Sequence, residues 1–166
     1  MRLSVRHSFA CTPAEFWSLY WDPAFETRLR KGSTVGREVV EERREGDVVV
    51  RRVRVTPQQE LPGPAAAVLG TKKLVYEQES RYDPAQGVID WQVVPSFLPG
   101  KLDAKGSIRV DPAPGGCVMV VDGNIDVHVR FVGGQIEKAV VAEVEKSYDR
   151  VATEAKAVLA ERKASS

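Results

Sequence analysis

No proline interrupts residues 134–160, and within that stretch Ile136, Val140, Val144, Val151, Ala155 and Val158 recur at intervals of three, four or seven. That spacing puts them on one stripe of an α-helix. Glu137, Lys138, Glu145, Lys146, Asp149 and Lys156 occupy most of the remaining surface. About 27 residues at ~1.5 Å each predict a helix ~40 Å long. Burying its apolar side chains is worth ~1.5–3 kcal/mol each before conformational entropy is set against it. A stripe of this length needs a matching apolar surface, and the rest of the chain has to supply it.

Almost everything before that helix runs with a period of two. Leu3, Val5, His7, Phe9 and Cys11 share one face of a first strand, with Ser4, Arg6 and Ser8 opposite. Val35–Arg44 and Val48–Thr56 predict a hairpin around Gly46-Asp47. Further strands are expected over Thr71–Tyr82, Val88–Val94, Leu102–Val110 and Cys117–Phe131. The last is long for a straight strand: about 14 residues at ~3.3 Å each would extend ~46 Å. Gly123 falls on its inward face and is read as a bulge or bend that lets the sheet curl. Seven strands at ~4.8 Å span ~34 Å, so one long helix suffices to cross them.

Two short helices interrupt the pattern after the first strand. Thr12 is the expected N-cap, Pro13 the first helical residue, Glu15 the capping-box partner, and Cys11 with Phe16 the hydrophobic staple. Asp22-Pro23 starts the second, which carries Phe25 and Leu29 and closes at Gly32. The longest irregular segment is Pro57–Gly70. Its stretch Leu61–Leu69 reads either as a lid or membrane-touching loop or as a loop packed on its own domain.

With 166 residues, a formal net charge of +1, 43% hydrophobic and 28% charged residues, the chain reads as one soluble globular domain spanning 1–166, ordered over about 2–160. Near-neutral charge gives no global field toward nucleic acid or an anionic membrane. Arg52, Arg54, Lys72 and Lys73 alternate with Glu41, Glu42, Glu45, Glu77 and Glu79, a mixed solvated face rather than a basic one. No apolar run reaches the roughly 20 residues of a membrane span, and the N-terminus lacks the apolar stretch of a signal peptide. Two cysteines, Cys11 and Cys117, without a CxxC motif point to a reducing, cytoplasmic compartment.

The element order, together with "VRHSFACTPAEFWSLYWDPAFETRLRKG" and "DVHVRFVGGQIEKAVVAEVEKSYDRVATEAKAVL", resembles the helix-grip fold of the START-like, Bet v 1-like (SRPBCC) superfamily, in a bacterial branch of unknown function. The resemblance covers Leu3 to about Leu159. It implies an α+β fold in which a curved seven-stranded antiparallel sheet surrounds a long C-terminal helix, with two short helices after the first strand. It also implies that the first and last strands pair, making Cys11 and Cys117 neighbours. These are read as two buried, unreactive thiols.

The cavity implied between sheet and helix predicts a function: binding of a hydrophobic or amphipathic small molecule, possibly a lipid. The alternatives on the same fold are a cyclase- or hydrolase-like enzyme and a co-chaperone-like interaction module. The expected lining is Phe16, Tyr20, Trp21 and Phe25 from the short helices, Tyr76, Trp91 and Met119 from strands, Phe97 and Leu98 from a loop, and Val140, Val144 and Val151 from the long helix. For each aromatic the competing reading is plain core packing. His7 and Arg51 are the candidate polar anchors. His7 also reads as a satisfied core histidine, and Arg51 as the partner of Glu38 or another carboxylate. His128 lies on the opposite face from Val127 and Val129 and is read as solvated. No GxSxG, HExxH, P-loop or GxGxxG motif is present, so no catalytic residues are assigned. No metal and no cofactor are expected.

Overall fold

In the computed structural model, which describes residues 1–33, 35–94 and 99–165, the chain runs as β1 (Arg2–Phe9), α1 (Pro13–Tyr20), α2 (Pro23–Lys31), β2 (Gly36–Glu45), β3 (Val48–Thr56), α3 (Gly63–Leu69), β4 (Tyr76–Asp83), β5 (Val88–Val93), β6 (Leu102–Ala113), β7 (Gly116–Val127) and α4 (Gly133–Ala164). The seven strands form one antiparallel sheet in the order β1-β7-β6-β5-β4-β3-β2. Each strand from β2 to β6 pairs with its successor, and β1 closes against β7, with Phe9 opposite Cys117 and Leu3 opposite Gly123. Together with α4 this is the α+β helix-grip arrangement.

The local signals act as the residue types dictate. The Thr12 hydroxyl accepts from the Glu15 backbone N–H (3.1 Å) and donates to the Glu15 carboxylate (3.0 Å). The Asp22 carboxylate accepts from the Ala24 N–H at 2.9 Å. Gly46 turns the β2–β3 hairpin at φ 64°, a conformation that costs a residue with a Cβ.

Three boundaries and one bulge differ from expectation. Pro57–Gly70 is not all irregular: α3 forms within it because Ala65 is small enough to be fully buried against Leu74, Val132 and Ile136. Leu61 and Leu69 pack on the same cluster, so this segment is held against its own fold. Strand β4 begins at Tyr76, later than Thr71, and β7 ends at Val127 rather than Phe131. Gly123 makes no bulge; its register with Leu3 and Gly106 is continuous.

The inner face of the sheet carries the core. Leu3, Val5, Phe9, Ile89, Ile108, Met119, Val121 and Ile125 meet Phe16, Leu19 and Phe25 of the short helices and Val141, Ala152 and Ala155 of α4. Helix α4 packs on β1 and β7. Its deepest residues are Ile136, Val141, Ala152 and Ala155, whereas Val140, Val144, Val151 and Val158 are only half-buried. The stripe is therefore split between a tightly covered side and a side facing free space. The outer face of the sheet is laced with ion pairs, among them Arg54–Glu77, Arg81–Glu45 and Arg109–Asp122.

Candidate functional site

Register fixes which side chains share a row across the inner face. One row runs Glu42, Arg51, Ser80, Trp91, Gly106, Gly123, Leu3. The next runs Val39, Val53, Gln78, Val93, and the one beyond it Arg37, Val55, Tyr76. A cavity lies where these rows pass beneath α4. Strand β4 contributes Tyr76 and Gln78, β5 Trp91 and Val93, β6 Leu102 and Ala104, and β7 Ile125. Helix α4 supplies Val140, Val144 and Tyr148, and Leu74 lies just ahead of β4. Free space measured to the surrounding atoms and out through the mouth is ≈ 430 Å³, but only ≈ 30 Å³ of it admits the centre of a water molecule. The walls nearly meet.

Trp91 sets the shape of this cavity, and two glycines set the position of Trp91. A Cβ on Gly106 would stand 2.5 Å from Trp91 Cζ2, and one on Gly123 2.6 Å from the same atom. The indole thus lies against two facing backbones with no side chains between. Its N–H is buried with no hydrogen-bond partner among the described residues, a costly state for a polar group. Burial pushes the hydroxyls of Tyr76 and Tyr148 above the usual tyrosine range, while the Arg37 charge pulls both back. Burial also raises the Glu143 carboxyl, against the lowering effect of the Gln58 backbone N–H.

The predicted lining residues divide. Tyr76, Trp91, Val140 and Val144 stand around the cavity. Phe16, Tyr20, Trp21, Phe25, Met119 and Val151 belong to the packed core and its edge instead. The aromatics do so because they find one another: Phe9–Phe16 centroids are 4.9 Å apart, Trp17–Tyr20 5.5 Å and Trp21–Tyr82 4.9 Å. Phe97 and Leu98 lie outside the described residues.

Neither polar anchor enters the cavity. His7 is on the inner face, opposite Met119, but its ring Nε2 is paired with Asp149 Oδ1 at 2.8 Å beside α4. Arg51 also points inward, where Glu26 (2.9 Å) and Glu42 (3.1 Å) hold it 5.0 Å above the Trp21 ring. Glu38, the first partner considered for it, instead pairs with Arg54. His128 is exposed, as its place opposite Val127 and Val129 suggested. Cys11 and Cys117 are both buried, their sulfurs 3.9 Å apart, and burial pushes the Cys117 thiol up to about 12. A thiol so disinclined to ionise is a poor nucleophile.

Sequence reasoning passed over Gln78, Val93, Leu102, Ala104, Ile125 and Tyr148. The alternation of Tyr76, Gln78, Ser80 and Tyr82 was a usable signal, since Tyr76 and Tyr82 mark that face as inward. Among the described residues no group of three His, Cys, Asp or Glu side chains is placed to hold a metal ion, and no helix is long and apolar enough to cross a membrane.

Solved structures share this architecture. TTHA0849 from Thermus thermophilus is 17% identical, with a TM-score of 0.64 over 96% of this chain and 99% of its own. A START superfamily protein from Mycobacterium smegmatis is 14% identical, with a TM-score of 0.57 over 96% of this chain and 97% of its own. The di-domain ARO/CYC StfQ from the steffimycin biosynthetic pathway is 12% identical, with a TM-score of 0.67 over 98% of this chain and 52% of its own. At these identities the likeness establishes a START-like fold and nothing finer. No curated protein matches the chain. The model of a family described as a protein of unknown function, DUF2505, matches residues 4–159, and the chain belongs to that family.

Proposed function

We propose that the chain binds a hydrophobic or amphipathic small molecule, of lipid type, in the cavity between the sheet and α4. The carrying observation is the division of its walls. Val93, Leu102, Ala104, Ile125, Val140 and Val144 are apolar, whereas Tyr76, Gln78 and Tyr148 bring polar atoms to the same space. Apolar walls with a few placed polar groups are the usual composition of a small-molecule site. The fold shared with a START superfamily protein and an ARO/CYC domain supports the reading. The ≈ 30 Å³ open to water centres sets a condition on it: a ligand of drug or lipid size enters only as the walls part. Val140, Val144 and Tyr148 are the side chains whose retraction would open it.

The enzyme alternative has less support, since His7 and Arg51 are each engaged by carboxylates outside the cavity. The interaction alternative asks for one apolar surface patch. The exposed large apolar side chains among the described residues, Val39, Val40, Val68 and Phe131, fall on β2, α3 and the turn before α4.

Native mass spectrometry of the purified protein, solvent extraction and titration with the neutral dye Nile red test the proposal. A co-purifying apolar species or saturable dye uptake is expected, and Val140→Trp should abolish it. A wild-type protein that carries nothing and takes up no dye ends the proposal.

A further inference from the structure

One cation on the inner face of the sheet shares a row with a residue of the cavity wall. Arg37 lies in the row Arg37, Val55, Tyr76, on the face to which the cavity residue Tyr76 belongs. Another inward guanidinium, Arg51, is already engaged, held by Glu26 and Glu42. Arg37 is exposed, and no carboxylate among the described residues pairs with it. The groups on which its charge acts are instead the hydroxyls of Tyr20, Tyr76 and Tyr148. Of these, Tyr76 of β4 and Tyr148 of α4 line the cavity. Glu143 of α4 bears on Tyr76 as well and is the acidic group at this end.

Building on the reading above, we propose that the occupant is an apolar monocarboxylic acid. Its hydrocarbon lies against Val93, Leu102, Ile125 and Val144, and its carboxylate is held at the mouth by the Arg37 guanidinium. The hydroxyls of Tyr76 and Tyr148 are placed to donate to the same group. A planar guanidinium fork matches a carboxylate in two parallel hydrogen bonds. The charge count selects the anion: Arg37 balances one negative charge, and Glu143 repels a second, which disfavours a phosphate monoester. The head stays at the wet end, where the ion pair costs little desolvation, while the tail leaves water.

The test uses the full chain with a dansyl-labelled undecanoic acid and its methyl ester, each titrated by fluorescence. Palmitate, hexadecanol and hexadecyl phosphate serve as competitors. Wild type should bind the acid at least about ten-fold more tightly than the ester, the scale of a charge-assisted hydrogen bond. Arg37→Gln should bring that ratio to about one by weakening the acid alone, and Arg37→Lys should keep part of it. Arg44→Gln, an exposed change on the same strand outside the row, should leave it intact. An unchanged ratio in Arg37→Gln overturns the assignment. Equal binding of acid and ester by wild type, or hexadecyl phosphate competing better than palmitate, overturns it too while sparing the cavity. Failure of both acid and ester to bind removes the cavity reading and this one together.

Discussion

Strands β1, β7 and β6 and strands β4, β3 and β2 belong to one sheet and obey one alternation, yet their inner faces have opposite fates. On the first side, Leu3, Val121 and Met119 are fully buried beneath α1, α2 and α4. On the second, all ten residues of β2 are exposed, and the inward positions include Arg37, Val39, Glu42 and Arg44. The difference is one of cover. Helix α4 lies on β1 and β7, and the aromatics of α1 and α2 fill the space beside it. The covered side is a core in which any change of volume is felt, and the uncovered side is a surface on which a ligand can settle. The cavity is the seam between them, which is why Leu102, Ala104 and Ile125 wall one flank and Tyr76 and Gln78 the other.

That contrast can be tested in descending order of effect. Phe16, 1% exposed at the centre of the covered side, should cost about 3–5 kcal/mol when changed to Ala. Val39→Ala on the uncovered side should stay within about 0.5 kcal/mol. Urea denaturation of both variants decides, and equal losses would erase the distinction. Gly106→Ala should cost about 2–3 kcal/mol or more by overpacking, because the new Cβ would stand 2.1 Å from the Asp122 carbonyl oxygen as well as against Trp91. A neutral result in the same assay would mean that the indole does not rest where the rows place it.

A third test is alkaline. The folded Cys117 thiol is held at about 12 against an ordinary 9.0, and Tyr20, Tyr76 and Tyr148 are also shifted upward. A raised pKa in the folded state means that the unfolded chain loses its protons first. The stability from Cys117 is therefore complete below pH 9.0 and lost as pH climbs to about 12. Denaturation midpoints should fall across that window, and Cys117→Ala should flatten the fall. Val140→Trp, at the half-buried seam where the walls can part toward solvent, should cost less than Met119→Trp on the fully buried side, where overpacking is worth about 1–3 kcal/mol or more. Similar losses for the two would mean that the seam is as tightly packed as the core. The smallest effect belongs to His7→Ala: its partner Asp149 is 65% exposed, and such a pair is worth about 0–1 kcal/mol. A larger loss by urea denaturation would show that the pair anchors α4.

Much of this was legible in residue order. Alternation through Leu102–Val110 and Cys117–Phe131, the caps at Thr12 and Asp22, and the unbroken stretch before Ala160 each announced their elements, although the last strand stops at Val127. Gly123 shows where reading stopped. Its position on an inward face suggested a bend, but the group that needs the space is Trp91, two ladders away on β5, and nothing near Gly123 in the chain mentions it. Helix α3 was missed for a related reason. Gly63-Pro64 has the composition of a loop, and it is the distant Ile136 and Leu74 that make a helix there worth forming by receiving Ala65. The aromatics of α1 and α2 had two readings, and only their mutual distances chose packing.

Residue order settled what is enforced within a few positions of each residue: strand alternation, helix starts, hairpin turns and the long apolar stripe, because backbone hydrogen bonds and side-chain periodicity act over that range. Which of those apolar faces became core and which became the wall of a cavity was left to the assembled chain. That choice rests on register between strands and on where α4 lies across them, and both depend on contacts between residues far apart in the chain, such as Phe9 with Cys117 and His7 with Asp149.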